Sequence, residues 1–171
     1  EWKPRLSWDL ENGSASSVLG FSKNGKKLFL LDSRGTDTAH LAVLDLESGV
    51  ETTVFSDPDH DVDAASLNPV DHELEMVSVT RDRQSWIGLS DAVRRDFEIL
   101  RKVHPGDFSI VSRSKEDRLW IVLFTEDVSP LKYYIYDRDT KKSEFLFAHR
   151  PALFNYRLAP MQPVVFSARD G

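Results

Sequence analysis

Ser22 comes nearest to a nucleophile motif in this chain. A hydrolytic serine is commonly held in Gly-x-Ser-x-Gly, on a sharp turn from a strand into a helix. Here the run is Gly20-Phe21-Ser22-Lys23-Asn24, with Asn24 in place of the last glycine and Gly25 one residue late. Apolar strand-like runs lie on both sides and no helix follows, so Ser22 reads as a serine beside a hairpin turn. A second candidate is Asp57-Pro58-Asp59-His60-Asp61-Val62-Asp63, which sets carboxylates at alternate positions as calcium loops do. An EF-hand loop needs Gly at its sixth position and Glu at its twelfth, and those positions hold Val62 and Asn68. The favoured reading is a loop between repeats, with Asp57 or Asp61 accepting from backbone amides. A weak surface cation site is the alternative.

The five histidines, His40, His60, His72, His104 and His149, show no His-x3-His or similar ligand spacing and read as surface loop or turn residues. Ser33-Arg34-Gly35-Thr36-Asp37 has one glycine and no helix after it, so it makes no phosphate loop. Tyr133, Tyr134 and Tyr136 would suit a stacking platform, but alternation along a half-buried strand accounts for them more simply. The absence of cysteine removes disulfides, thiolate metal sites and a cysteine nucleophile. The sequence thus assigns no catalytic, metal-binding or cofactor-binding residue.

Composition narrows the partners. The net charge is −6, and the basic clusters Lys23/Lys26/Lys27 and Arg94/Arg95 are flanked by acids, which argues against nucleic acid. No apolar run approaches the ~18 residues of a membrane span, so no membrane partner is expected. The opening Glu1 to Leu10 lacks a signal-like apolar stretch. A cytoplasmic location is the expectation, and the absence of cysteine is compatible with it. At 171 residues, 40% apolar and 29% charged, the chain is long enough for one globular core.

The elements that must position these residues follow a repeat. Val18 to Phe55 reads as strand, Asn24-Gly25 turn, strand around Leu28–Leu31, loop, strand around Leu41–Leu44, Glu47–Gly49 turn, and strand around Thr52–Phe55. Phe108 to Phe147 repeats this, with turns at Asp117-Arg118 and Asp137–Lys141. The middle stretch shares the first half: Ala65–Leu67, a turn at Asn68–His72, then Leu74–Val79. Aligning Leu28, Leu74 and Leu119 gives offsets of 46 and 45 residues, the period of four-stranded β-propeller blades. The fold class expected is therefore mainly β, a partial propeller of roughly three four-stranded blades over 1–157, with repeats at about 18–56, 62–106 and 107–149. Leu89, Val93, Phe97, Leu100 and Val103 carry helical spacing, which predicts one helix over 91–104, capped by Ser90 or Asp91 and covering a blade edge. Residues 1–17, with Trp2 and Trp8, read as the remnant of a preceding blade.

The tail predicts a further strand at Val164-Val165-Phe166, between Pro163 and Arg169-Asp170-Gly171. An Asp-Gly pair after an apolar strand opens a hairpin, so 158–171 reads as a linker into a domain that follows. The Asn-Gly repeat elements, the Asp57–Asp63 run, HPGDFSIVSRSKEDRLWIVLF, YYIYDRDTKK and above all LAPMQPVVFSARDG resemble the propeller of the prolyl oligopeptidase family, nearest its acylaminoacyl-peptidase and dipeptidyl-aminopeptidase-like branch. The resemblance implies a parent serine peptidase whose α/β-hydrolase domain, beyond residue 171, cleaves short peptides while the propeller gates access. It implies no catalytic residue and no cofactor within this chain, and the hydrolase domain and short peptides as partners. Exposed blade edges would also permit self-association. A stand-alone propeller-like scaffold for a protein or peptide is the competing reading, and a lectin-like domain using Asp57–Asp63 a third.

Overall fold

In the computed structural model, which describes residues 4–169, three antiparallel sheets follow one another along the chain. The first holds β1 (Ser17–Phe21), β2 (Lys27–Asp32), β3 (His40–Asp45) and β4 (Glu51–Phe55) in sequence order. The second holds β5 (Val62–Leu67), β6 (Leu74–Thr80) and β7 (Gln84–Gly88). A short helix α1 (Leu10–Ala15) precedes the first sheet, and α2 (Asp91–Leu100) follows β7. The third sheet holds β8 (Asp107–Arg113), β9 (Leu119–Glu126), β10 (Ser129–Asp137) and β11 (Lys142–Ala148), and a 3₁₀ turn spans Pro151–Asn155. The strands expected within the three repeats are present. The middle blade, however, has three strands and a helix where the pattern expected four strands.

The turns show why these segments form meanders. In each first hairpin one residue adopts left-handed backbone: Gly25 at φ 70°, His72 at 59° and Asp117 at 56°. Its amide donates back to the residue opening the turn, Ser22, Asn68 or Ser114, at 2.8–2.9 Å. Glycine takes this conformation without steric cost, and His and Asp tolerate it locally. The last hairpins of sheets one and three are equivalent too. Asp45 accepts from the amides of Glu47 and Ser48, Asp137 from those of Asp139 and Thr140, and Gly49 and Lys141 follow with φ of 74° and 58°.

Continuous apolar runs mark strands covered on both faces. Leu31 and Leu41 of the first sheet pack with Val62, Val77 and Val79 of the second. The opposite face of the first sheet, Leu28, Leu30, Ala42 and Leu44, is covered by Leu6 and Trp8 of the N-terminal arm. Trp8 also donates its indole N–H to Asp32 at 2.9 Å. That arm contains no strand from residue 4 onward, contrary to the blade remnant expected. Asp9 caps α1 by accepting from the Asn12 amide, and Trp2 lies outside the described residues.

Helix α2 is capped by Ser90, whose hydroxyl accepts from the Val93 amide. It ends at Leu100, four residues before the expected His104, because 101–103 turn to bring the chain into β8. Val93, Phe97 and Leu100 are fully buried against Met76 of the second sheet and Phe108, Trp120, Val122, Phe124 and Tyr136 of the third. Val164-Val165-Phe166 forms no strand: no neighbouring strand offers it a ladder, and Val165 is 96% exposed. Asp170 and Gly171 of the expected hairpin lie outside the described residues.

Candidate functional site

The densest set of chemically capable side chains is a charged seam where α2 and the third sheet meet the second. Glu75 from β6, Asp96 from α2 and Asp117 from the β8–β9 turn supply three buried carboxylates. Arg113 at the end of β8, Arg138 just past β10 and Lys141 in the next turn supply three cations. Arg113 pairs with Glu75 and, at 2.6 Å, with Asp117. Arg138 pairs with Asp117 and, through Nε at 2.8 Å, with Asp96, while Lys141 also reaches Asp96. Tyr136 donates its hydroxyl to Asp96 at 2.7 Å, and Trp120 its indole N–H to Asp117 at 2.7 Å. The Asn68 amide bridges Glu75 and Asp117. Both guanidiniums lie over the Trp120 ring, Arg138 at 4.4 Å and Arg113 at 5.2 Å.

This arrangement is neutral in sum, three charges of each sign, and every member is paired. Burial, followed by the bond to Asp96, pushes the Tyr136 hydroxyl well above the usual phenol range. It is therefore a proton donor held to one acceptor and has no character of a base. Chemically the seam fixes the position of two sheets and a helix. It contains no nucleophile.

Apart from Tyr136, the residues singled out from sequence lie outside the seam. The Ser22 hydroxyl donates to Asn24 Oδ1 at 2.8 Å and accepts from the Lys27 amide at 3.0 Å, so it closes its hairpin as expected. Asp57 accepts from the Asp59 and His60 amides and pairs with Arg81 across to the second sheet. The Asp59 amide first, and Arg81 after it, hold its carboxyl below the usual range. Asp61 accepts from the Ala39 amide at 2.6 Å, and Asp63 from the Thr80 hydroxyl. Asp57 and Asp61 thus accept from backbone amides, as the favoured reading had it. Among the described residues no three His, Asp or Glu side chains converge as a metal site would require.

Two histidines depart from the surface reading. His40 is buried at the start of β3, near the Thr36 hydroxyl. His104 is packed on Phe124 and Tyr134 with Glu126 and Lys132 at its nitrogens. The seam itself was missed from sequence. Its only advance signal was the recurrence of Asn68 and Ser114–Asp117 at the same hairpin in successive repeats.

Comparisons with known proteins place this geometry. No protein-family model matches the chain. It is 38% identical over 169 residues to dipeptidyl aminopeptidase BIII of Pseudoxanthomonas mexicana, a match covering 99% of this chain and 24% of that protein. This match supports the resemblance to a segment of the prolyl oligopeptidase family. A second relative, dipeptidyl peptidase family member 6 of Caenorhabditis elegans, is 23% identical over 171 residues, 99% of this chain and 23% of that protein. The chain thus spans about a quarter of the length of the curated relatives it matches. Among solved structures, a chain from a mechanistic study of two prolyl endopeptidases shares the fold, with a TM-score of 0.51 and 14% identity. That superposition covers 77% of this chain and 19% of the other. The partial propeller inferred from the 45-residue period agrees with it.

Proposed function

We propose that this chain is the C-terminal part of the propeller of a serine peptidase, with residues 158–171 leading into an α/β-hydrolase domain. In this reading the parent cleaves short peptides near their N-terminus, the hydrolase domain carries the catalytic serine, and the propeller limits which substrates reach it. The observation that carries the proposal is the match to dipeptidyl aminopeptidase BIII, which runs the whole length of the chain yet covers a quarter of that enzyme. A non-catalytic role for these residues is supported by Ser22, whose hydroxyl is committed to Asn24 and Lys27. The edge strand β11, with Phe145 and Phe147 each about half exposed, supports self-association when its neighbours are missing.

The test compares this chain with the full parent on chromogenic dipeptide amides and acyl-peptides. The parent is expected to turn over substrate and to be silenced by a serine-directed inhibitor. Ser22→Ala in the parent is expected to leave turnover unchanged, and the 171-residue chain to show none. Inhibitor-sensitive turnover by this chain alone would overturn the assignment.

A further inference from the structure

We propose that His104 is a proton-operated latch on the segment Pro151–Asn155. Gly106 brings the loop carrying His104 against β9. It adopts φ +100°, and a Cβ there would meet the Thr125 carbonyl at 2.4 Å and Glu126 Cγ at 2.6 Å, so only glycine allows the approach. The approach sets the imidazole between Phe124 and Tyr134, with centroids at 5.6 and 6.1 Å.

The partners fix the tautomer. Nδ1 lies 2.9 Å from Glu126 Oε1 and 2.7 Å from the Pro105 carbonyl, both acceptors, so Nδ1 carries the proton. Nε2 lies 2.7 Å from Lys132 Nζ. An ammonium has donors only, so Nε2 accepts and the ring is neutral. A second proton must go to Nε2 itself, which sets two donors face to face. The Glu126 carboxylate gains attraction for the imidazolium, so Lys132 is the group that leaves. Its other neighbours are Glu126 Oε2 at 3.4 Å and the Phe154 ring at 5.8 Å. Phe154 belongs to the 3₁₀ turn that packs on β10, so expelling the lysine unseats that turn.

Charged groups on the surrounding elements do not blunt this. Glu126 on β9 and Lys132 on β10 are those at the ring. Asp107, opening β8, is taken by Arg83 at 2.9 Å, and Asp127 in the β9–β10 turn accepts from the Met161 amide. Histidine is the side chain whose ordinary charge change falls between about pH 5 and 8, which sets the interval the test spans.

The test is made on the full chain. Nitrogen-15 NMR should report the Nδ1–H tautomer at neutral pH. The amides of Leu153 and Tyr156, bonded to Arg150 O and Leu153 O, report the turn by hydrogen exchange. From about pH 7.5 to about pH 5.5, exchange corrected for its intrinsic rate is expected to rise at least about tenfold. In Lys132→Met the fast exchange should already be present at the higher pH, and in His104→Gln the rate should not depend on pH. An Nε2–H tautomer at neutral pH, or titration of His104 with unchanged exchange at both amides, would refute the latch.

Discussion

Removing the Asp96 carboxylate tests the seam most directly. Asp96 is fully buried and receives three donors: the Tyr136 hydroxyl, Arg138 Nε and Lys141 Nζ. Asp96→Ala leaves two carboxylates facing three cations and strands a buried phenol. Arg138 keeps Asp117 as a partner and Lys141 is half exposed, so the penalty falls chiefly on the loss of a buried countercharge. Breaking a buried pair from one side costs about 3–5 kcal/mol. Tyr136→Phe removes one bond to a charged group and should cost about 1.5–3 kcal/mol. Once Asp96 is gone the phenol has lost its acceptor, so adding Tyr136→Phe to Asp96→Ala should recover stability and give a coupling of at least about 1.5 kcal/mol. Urea unfolding followed by circular dichroism and tryptophan emission reads all four proteins. With a slope of about 2 kcal/mol per molar, Asp96→Ala moves the midpoint down by about 1.5–2.5 M. Effects of the two substitutions that add within about 0.5 kcal/mol would show that the seam does not act as a unit and would refute this reasoning.

Two other outcomes follow from charge and exposure. The hydrogen bond from Arg118, with the Thr140 and Asp139 amides, holds the Asp137 carboxyl down to about 2 despite some desolvation. At Asp32 burial pushes upward, but the bonds from Arg34 and Trp8 outweigh it and depress the carboxyl further. Their folded values lie below the unfolded ~3.9, so their stabilisation is complete above about pH 4 and is lost as pH falls toward about 2. Tyr136 is shifted the other way, so its contribution is complete below about pH 10 and lost above it. Thermal melts across pH should fall off at both ends, and a melting temperature that holds flat from pH 5 down to 2 would contradict the acidic limb. Separately, Phe147 stacks on Tyr133 at 4.6 Å on the edge strand β11 and is 54% exposed, as is Phe145 at 53%. Sedimentation at tens of micromolar should show dimers or larger species that Phe145→Glu with Phe147→Glu reduces; monomer alone before substitution would count against the edge.

What could be read from sequence was local, and what could not was distant. Strand periods and the Gly25, His72 and Asp117 turns declare themselves within a few residues, so the three repeats were legible. Helix α1 was not: six residues containing Gly13 carry little helical preference, and only the Asp9 cap signals it. Val164-Val165-Phe166 misled because a strand is defined by its neighbour, and a short apolar run cannot supply one. The seam draws on residues far apart in sequence, such as Arg113 with Glu75, 38 positions away, and Lys141 with Asp96, 45 positions away. Singly, none of them signals that meeting.

The position of the seam follows from the helix. Between the first and second sheets, strand faces strand and the packing is apolar, with the Asp57–Arg81 pair at its margin. Between the second and third, α2 stands where a fourth strand would have been, and a helix has no ladder to fix its register. Its apolar stripe of Val93, Phe97 and Leu100 would fit nearly as well after sliding one turn, about 5.4 Å along its axis. Asp96 would then lose Tyr136, Arg138 and Lys141 together. Buried ionic groups are best attested as devices that set registry, and here they lie at the inter-sheet contact that carries a helix, an element no strand ladder registers. Replacing the seam by apolar side chains of equal volume would therefore preserve stability while loosening the placement of α2. That separates a registering role from a merely stabilising one.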